Sequence, residues 1–309
     1  MHPHSHDHDH QPRQPRQAPG AVRAFAIGIA LNATFVLVEW ICGVMANSLA
    51  LIADATHNFS DVLGLVLAWG AVALARRPPS TRFTYGLRGT TILAALGNAM
   101  LLLVATGGIA WEAVLRFKST AVVNETIMIW VAVLGVLINA GTALLFMRGS
   151  KTDLNVRGAY LHMAADAGVS LGVAVAGVGM LFTGWRWLDP ATSLLIVTVI
   201  FIGTWRLLRD SVRLALQAAP ENVNPVDVRR YLAELPGVSE AHDLHIWAMS
   251  TTETALTVHL VMPAGHPGDE FFSKVAHQIE DRFHIGHATI QIETGTSANP
   301  CILAPDHVV

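Results

Sequence analysis

The stretch SLALIADATHNFSDVLGLVLAWGAVALA, residues 48–75, decides how the rest of the chain is read. It is long and apolar enough to cross a bilayer, which asks for about 20 mostly apolar residues. Yet it carries three ionisable side chains, Asp54, His57 and Asp61, spaced so that all fall on one helix face. An ionisable group at membrane depth is costly and by default functional. The stretch is therefore a membrane helix with one chemical face.

Five further apolar runs flank it, at residues 22–45, 90–111, 126–147, 158–182 and 191–208. The last follows Asp189-Pro190, a capping residue and a proline at the first helical position. The chain of 309 residues is 52% hydrophobic and only 14% charged. Soluble domains average about 25% charged, so much of this chain must avoid water. The expected fold is an α-helical membrane protein with six transmembrane helices and a C-terminal α+β domain. Its expected parts are a His-rich tail (1–20), a membrane domain (21–213), a soluble cytoplasmic domain (214–296) and a C-terminal tail (297–309).

Basic residues set the orientation. Arg13, Arg16, Arg23, Arg76, Arg77, Arg82, Arg88, Arg148, Lys151, Arg157, Arg206, Arg209 and Arg213 all fall on one side of the six spans. The other side holds only Arg116, Lys118 and Arg186. Both termini are expected in the cytoplasm. Beyond residue 213 the chain carries four basic and twelve acidic side chains, a net −8. Such a domain repels nucleic acid and gathers cations, although the same charge also serves plain solubility.

Of fifteen histidines, only His57 and His162 lie in the membrane half. Each precedes an aspartate by four residues, Asp61 and Asp166, so each helix presents an imidazole and a carboxylate one turn apart. Two such helices offer two nitrogens and two oxygens, a set that suits tetrahedral Zn²⁺. Two ionised aspartates also cancel the charge of a divalent ion, which matters at low dielectric. Interhelical hydrogen bonding alone explains a repeated His-x-x-x-Asp poorly. Asp54 reads as a residue supporting this site or lining its pathway, and Glu39 is a further acid in the first span. The fifth span is rich in small residues, including Gly168, Gly172, Gly177 and Gly179, which allow helices to approach closely.

The N-terminal MHPHSHDHDH alternates five histidines with other residues and lacks the apolar core of a signal peptide. It can gather metal loosely. Tags are usually uninterrupted His runs, so the tract reads as native. Two cysteines, Cys42 in the first span and Cys301 in the tail, imply no disulfide framework. No phosphate-binding loop or phosphorylation sequence is present, so an ion gradient is the expected driving force. Metal and protons compete for the same nitrogens and oxygens, the physical basis of antiport.

Past the sixth span, the pattern is helix (226–235), strand (238–247), strand (254–262), helix (269–283) and strand (288–293), a two-layer α+β domain. His259 and Glu293 fall on the face opposite the apolar one, and His242, His259 and Glu293 could converge on a cytoplasmic metal. Asp243, His245, His284 and His287 are weaker candidates for additional ligands.

Four segments carry a family resemblance: Ser48 to Asp61, Gly158 to Asp166, His242-Asp-Leu-His-Ile-Trp247 and Thr289-Ile-Gln-Ile-Glu293. In this order and spacing, the chain resembles the cation diffusion facilitator family over about residues 20–295, in its zinc-transporting branch of bacterial heavy-metal efflux proteins. The resemblance implies a homodimer in the bacterial inner membrane, six spans, a ferredoxin-like cytoplasmic domain and Zn²⁺/H⁺ exchange. It further implies that His57, Asp61, His162 and Asp166 form the transport site. Some members bind a second metal between the second and third spans. Ser80, Phe83 and Leu87 stand at the matching positions here and are poor ligands, so no metal is expected there. Gln291 stands where another member has a cytoplasmic ligand, which leaves that ligand set open. The rival reading is a membrane metal sensor that binds ions without moving them. An intramembrane metalloprotease would need a His-Glu-x-x-His that the chain lacks.

Overall fold

The computed structural model describes residues 19–118, 121–147, 154–295 and 301–304, of which residues 19–32 and 154–155 by backbone alone. Six long helices come first: α1 (Pro19–Ala46), α2 (Leu49–Ala75), α3 (Thr90–Arg116), α4 (Glu125–Met147), α5 (Leu154–Thr183) and α6 (Leu188–Ala215). Helices α2 to α6 are long and apolar enough to cross a membrane, and α1 contributes the shorter apolar segment Ala33–Ala46. Trp69, Val104, Trp130 and Phe182 each project outward with more than two-thirds of their surface exposed. Apolar exposure on that scale suits lipid and not water. Five of the expected spans lie within their observed helices, and the second, expected from Ser48, starts one residue later at Leu49. The helices run further because apolar length marks only the membrane core. Past its apolar stretch, α6 continues on charged residues, and Arg213 pairs with Glu221 at 3.1 Å.

Contacts divide the described chain into two compact units. The first holds α1, α2 as far as Asn58, α4, α5 and the start of α6. Within it, α4 packs along α5 and against α1. A β-carbon on Gly177 of α5 would lie 2.8 Å from Ile129 Cγ1 of α4. One on Gly135 of α4 would lie 2.9 Å from Phe35 Cζ and 3.0 Å from Ser170 Oγ. The small-residue expectation needs correcting in detail. Of the four glycines named from sequence, a β-carbon on Gly177 or Gly179 would meet a neighbour at 2.8 or 3.0 Å, whereas one on Gly168 or Gly172 would meet none of the described residues within 4 Å, and Gly135 of α4 adds a close approach. A pair spaced four apart marks a face without saying whether a helix covers it.

The reading of Asp189 as the cap of the sixth helix also changes. Helix α6 starts one residue earlier, and the Asp189 carboxylate serves the start of α2. Asn47, at φ 52°, closes α1 in the left-handed conformation. Ser48 then accepts the Leu51 N–H and donates its hydroxyl to Asp189 at 2.5 Å. The N–H groups of Leu49 and Ala50 donate to the same carboxylate at 2.9 and 3.2 Å. Buried helix-start N–H groups attract the nearest anion, and Asp189 is fully buried against them.

The second unit contains the rest of α2, α3, most of α6 and the C-terminal domain. That domain comprises α7 (Pro225–Ala233), β1 (Glu240–Ala248), β2 (Thr254–Val261), α8 (Asp269–Phe283) and β3 (His287–Glu293). Asn224 caps α7 by accepting the Val226 N–H at 3.0 Å, with Pro225 at the first helical position. The sheet has the order β1-β2-β3, with the first pair antiparallel and the second parallel. Alternation along β2 buries Leu256, Val258 and Leu260 against Val228, Leu232, Val275 and Ile279 of the helices. His259 points to the opposite face of the sheet.

Candidate metal centres

Helices α2 and α5 bring three of the expected membrane ligands together around one carboxylate. Asp166 Oδ1 lies 3.7 Å from His57 Nε2, and Asp166 Oδ2 lies 3.6 Å from His162 Nε2. The two imidazoles meet edge to face, with centroids 6.2 Å apart. These separations are too long for hydrogen bonds. They match the roughly 3.3–3.6 Å between neighbouring ligands of a tetrahedral ion bound at about 2.0–2.2 Å. Asp61 follows His57 by one turn of α2.

Behind this group, polar side chains lock the two helices. Ser170 of α5 donates to Asp54 Oδ2 at 2.9 Å. Asn58 Nδ2 reaches both Asp54 Oδ1 at 3.5 Å and Glu39 Oε2 at 3.3 Å. Glu39, Asp54, Asn58 and Ser170 are all essentially buried. Asp54 thus supports the face that carries His57. Sequence reasoning named Asp54 and Glu39 but missed Asn58 and Ser170. Their signal was available, since each follows an aspartate, Asp54 or Asp166, by one turn.

The cytoplasmic trio also converges. His259 Nδ1 lies 3.0 Å from Glu293 Oε1, and His242 Nε2 lies 3.5 Å from Glu293 Oε2. His242 is directly paired with His259 across β1 and β2. A bulge between His242 and His245 then breaks the alternation, with Asp243 at φ 49°. The break turns Asp243 toward the same face, where Oδ2 lies 3.5 Å from His259 Nε2 and Oδ1 lies 2.8 Å from His245 Nε2. Asp243 and His245 therefore back the trio. His284 and His287 do not join it. His284 closes α8, and His287 stacks edge-on against Tyr85 at 5.6 Å. Gln291, opposite His259 in the strand register, donates to Glu293 Oε1 at 3.2 Å and so steadies that carboxylate.

Cys301, read from sequence as tail, returns to this cluster. Its sulfur lies 3.6 Å from His259 Nδ1, and His242, His259, Glu293 and Cys301 each place one donor atom within 4.8 Å of the others. Burial pushes the Glu293 carboxyl up, but hydrogen bonds from Cys301 and Gln291 and the two imidazoles outweigh it and hold the group below its usual value. For the Cys301 thiol, the Leu303 backbone acts to lower the pKa. Desolvation and the Glu293 and Asp243 carboxylates prevail and push it up.

Both halves of the chain match known families. Residues 25–214 match the cation efflux transmembrane domain, and residues 220–295 match the cytoplasmic domain of cation efflux proteins. The chain belongs to the cation efflux family, the cation diffusion facilitators, and is an integral membrane transporter of metal cations rather than an enzyme. It is 40% identical over 275 residues to the metal cation efflux system protein CzcD of Cupriavidus metallidurans, covering 89% of this chain and 87% of that one. Against the zinc transporter ZitB of Escherichia coli it is 38% identical over 271 residues, covering 87% and 86%. Against the cadmium, cobalt and zinc/H(+)-K(+) antiporter of Bacillus subtilis it is 33% identical over 265 residues, covering 84% and 85%.

Proposed function

We propose that the chain exports Zn²⁺ from the cytoplasm in exchange for protons, through a site made of His57, Asp61, His162 and Asp166. The observation that carries this reading is the Asp166 carboxylate set between two imidazoles from facing helices, at ligand-to-ligand distances. In the loaded state, two ionised aspartates offset the 2+ charge of the ion. In the unloaded state, protons occupy the same nitrogens and oxygens, so zinc and protons displace one another. The working protein on this reading is a homodimer in the inner membrane, with six spans per chain and both termini cytoplasmic. Residues 21–213 form its membrane domain and residues 214–296 a ferredoxin-like cytoplasmic domain. The named activities of the efflux relatives support zinc as cargo and antiport as mode. His242, His259 and Glu293 hold a second, resident Zn²⁺ on the cytoplasmic side.

Reconstituted vesicles carrying a trapped pH dye test the exchange. An imposed zinc gradient should drive opposed proton movement, and zinc binding should weaken as pH falls below about 6.5, where imidazole ordinarily protonates. Zinc flux with no proton movement would overturn exchange. Zinc binding with no flux would instead support the sensor reading.

A further inference from the structure

We propose that Cys301 supplies a thiolate as the fourth ligand of the cytoplasmic site, closing a tetrahedral set with His242, His259 and Glu293. The inference rests on the reading of that trio as a metal site. Three observations carry it beyond the trio.

The first is distance. The sulfur sits 3.6 Å from His259 Nδ1, which is itself 3.0 Å from Glu293 Oε1. Zinc bonds of about 2.0–2.3 Å to nitrogen, oxygen and sulfur put neighbouring donors roughly 3.3–3.8 Å apart. Small movements of side-chain ends therefore suffice to enclose an ion.

The second is His242. It is 3% exposed, and neither ring nitrogen makes a hydrogen bond among the described residues. A buried imidazole with both nitrogens unsatisfied is costly unless something else engages it. Its Nε2 faces Glu293 and the cluster, while Nδ1 lies 3.6 Å from Glu240 Oε1.

The third is the outer layer. Metal-bound imidazoles are usually held from behind by a carboxylate on the other nitrogen. Both histidines face one, Glu240 Oε1 at 3.6 Å from His242 Nδ1 and Asp243 Oδ2 at 3.5 Å from His259 Nε2, one short movement from a hydrogen bond. The bulge at Asp243 is what supplies the second.

Thiolate and carboxylate together offset the 2+ charge, so the loaded cluster is formally neutral beside a buried His242. Binding converts the Cys301 thiol to a thiolate and releases its proton to solvent. Four protein ligands leave no open position, which is the signature of a holding site rather than a passage. A sulfur donor selects borderline and soft ions, Zn²⁺, Cd²⁺ and Co²⁺, over Mn²⁺ and Mg²⁺. The bond also pins the segment 301–304 to the face of the sheet.

Cobalt reads this directly, because a Co²⁺–thiolate bond gives a near-ultraviolet charge-transfer band that nitrogen and oxygen ligands do not. The chain has only one other cysteine, Cys42, in α1. The full-length Cys42→Ser protein, reduced and in detergent, should develop the band on Co²⁺ titration. Cys42→Ser/Cys301→Ser should lose it, and so should Cys42→Ser/His242→Ala. Excess Zn²⁺ should abolish the band and protect Cys301 from alkylation, whereas Mn²⁺ should do neither. Absence of the band in Cys42→Ser overturns the thiolate ligand. If His242→Ala then still lowers the amount of bound metal, the trio stands without the sulfur. If it does not, the cytoplasmic site itself falls.

Discussion

The membrane and cytoplasmic clusters share imidazoles and carboxylates and differ in what surrounds them and in a sulfur that only the second has near it. At the membrane cluster, Asp166 stands between two imidazoles, and the neighbouring Asp54, Asn58 and Glu39 bond mainly to one another and to Ser170. At the cytoplasmic cluster, carboxylates stand behind both histidines, and the Cys301 thiol lies 3.6 Å from His259 Nδ1. The difference teaches what each must do. A site that releases its ion on every cycle gains from ligands that protons can reclaim and from the absence of sulfur. A site that keeps its ion gains from a locked second layer and a donor that holds soft metal.

The sharpest break of that comparison is to remove one carboxylate from the membrane cluster. Asp166→Ala should reduce zinc flux to background, because the ion then lacks half of its charge compensation at low dielectric. The cytoplasmic zinc should remain bound, so total bound metal falls without vanishing. Near-normal flux in a folded Asp166→Ala protein would show that the ion passes elsewhere.

The reciprocal test weakens the cytoplasmic cluster from behind. Asp243→Asn keeps shape but removes the charge facing His259, and outer-layer changes of this kind cost about 10–100-fold in metal affinity. Cytoplasmic zinc affinity should drop by that factor, read by competition with a chromophoric chelator, while maximal flux stays within about twofold. An equal fall in flux would mean that the two clusters are not separable.

A smaller effect concerns the frame that holds the membrane ligands. Gly177→Ala would place a methyl 2.8 Å from Ile129 Cγ1, whereas Gly172→Ala meets open space. Overpacking of this kind costs about 1–3 kcal/mol. Gly177→Ala should therefore lower the thermal midpoint in detergent by several degrees and Gly172→Ala should hardly change it. Equal midpoints would show that α4 and α5 can part without cost.

Legibility in the sequence followed the range of the interactions. The six apolar helices were readable because bilayer thickness sets a length that any window can count. The α7–β3 order was readable because the stop signal Pro236-Gly237 and the alternation around His259 are local. Paired ligands one turn apart on α2 and α5 were readable for the same reason. Three features were not. Asp189 serves the start of α2 from about 140 residues away. The bulge that turns Asp243 depends on register between two strands. Cys301 reaches His259 only through the return of the chain after β3. Each depends on tertiary structure, and no periodicity announces it.

The smallest predicted effect asks whether the cytoplasmic cluster is already assembled without metal. Glu293 titrates below its usual value because hydrogen bonds from Cys301 and Gln291 and the two imidazoles together outweigh burial. A group whose pKa is depressed on folding adds stability that is present above its unfolded value, about 4.3 for glutamate, and is lost as pH falls through the folded value. Chelated wild type should therefore be more stable than chelated Glu293→Gln at pH 6, and the gap should narrow once pH falls below about 4.3 and close below the folded value. Glu293 is partly exposed, so the gap should be modest, a small shift in the calorimetric midpoint of the cytoplasmic domain. A gap that persists unchanged well below about pH 4, where the carboxylate is protonated in both states, would assign the effect to packing rather than charge. No gap at any pH would mean that metal must arrive before Glu293 engages its neighbours.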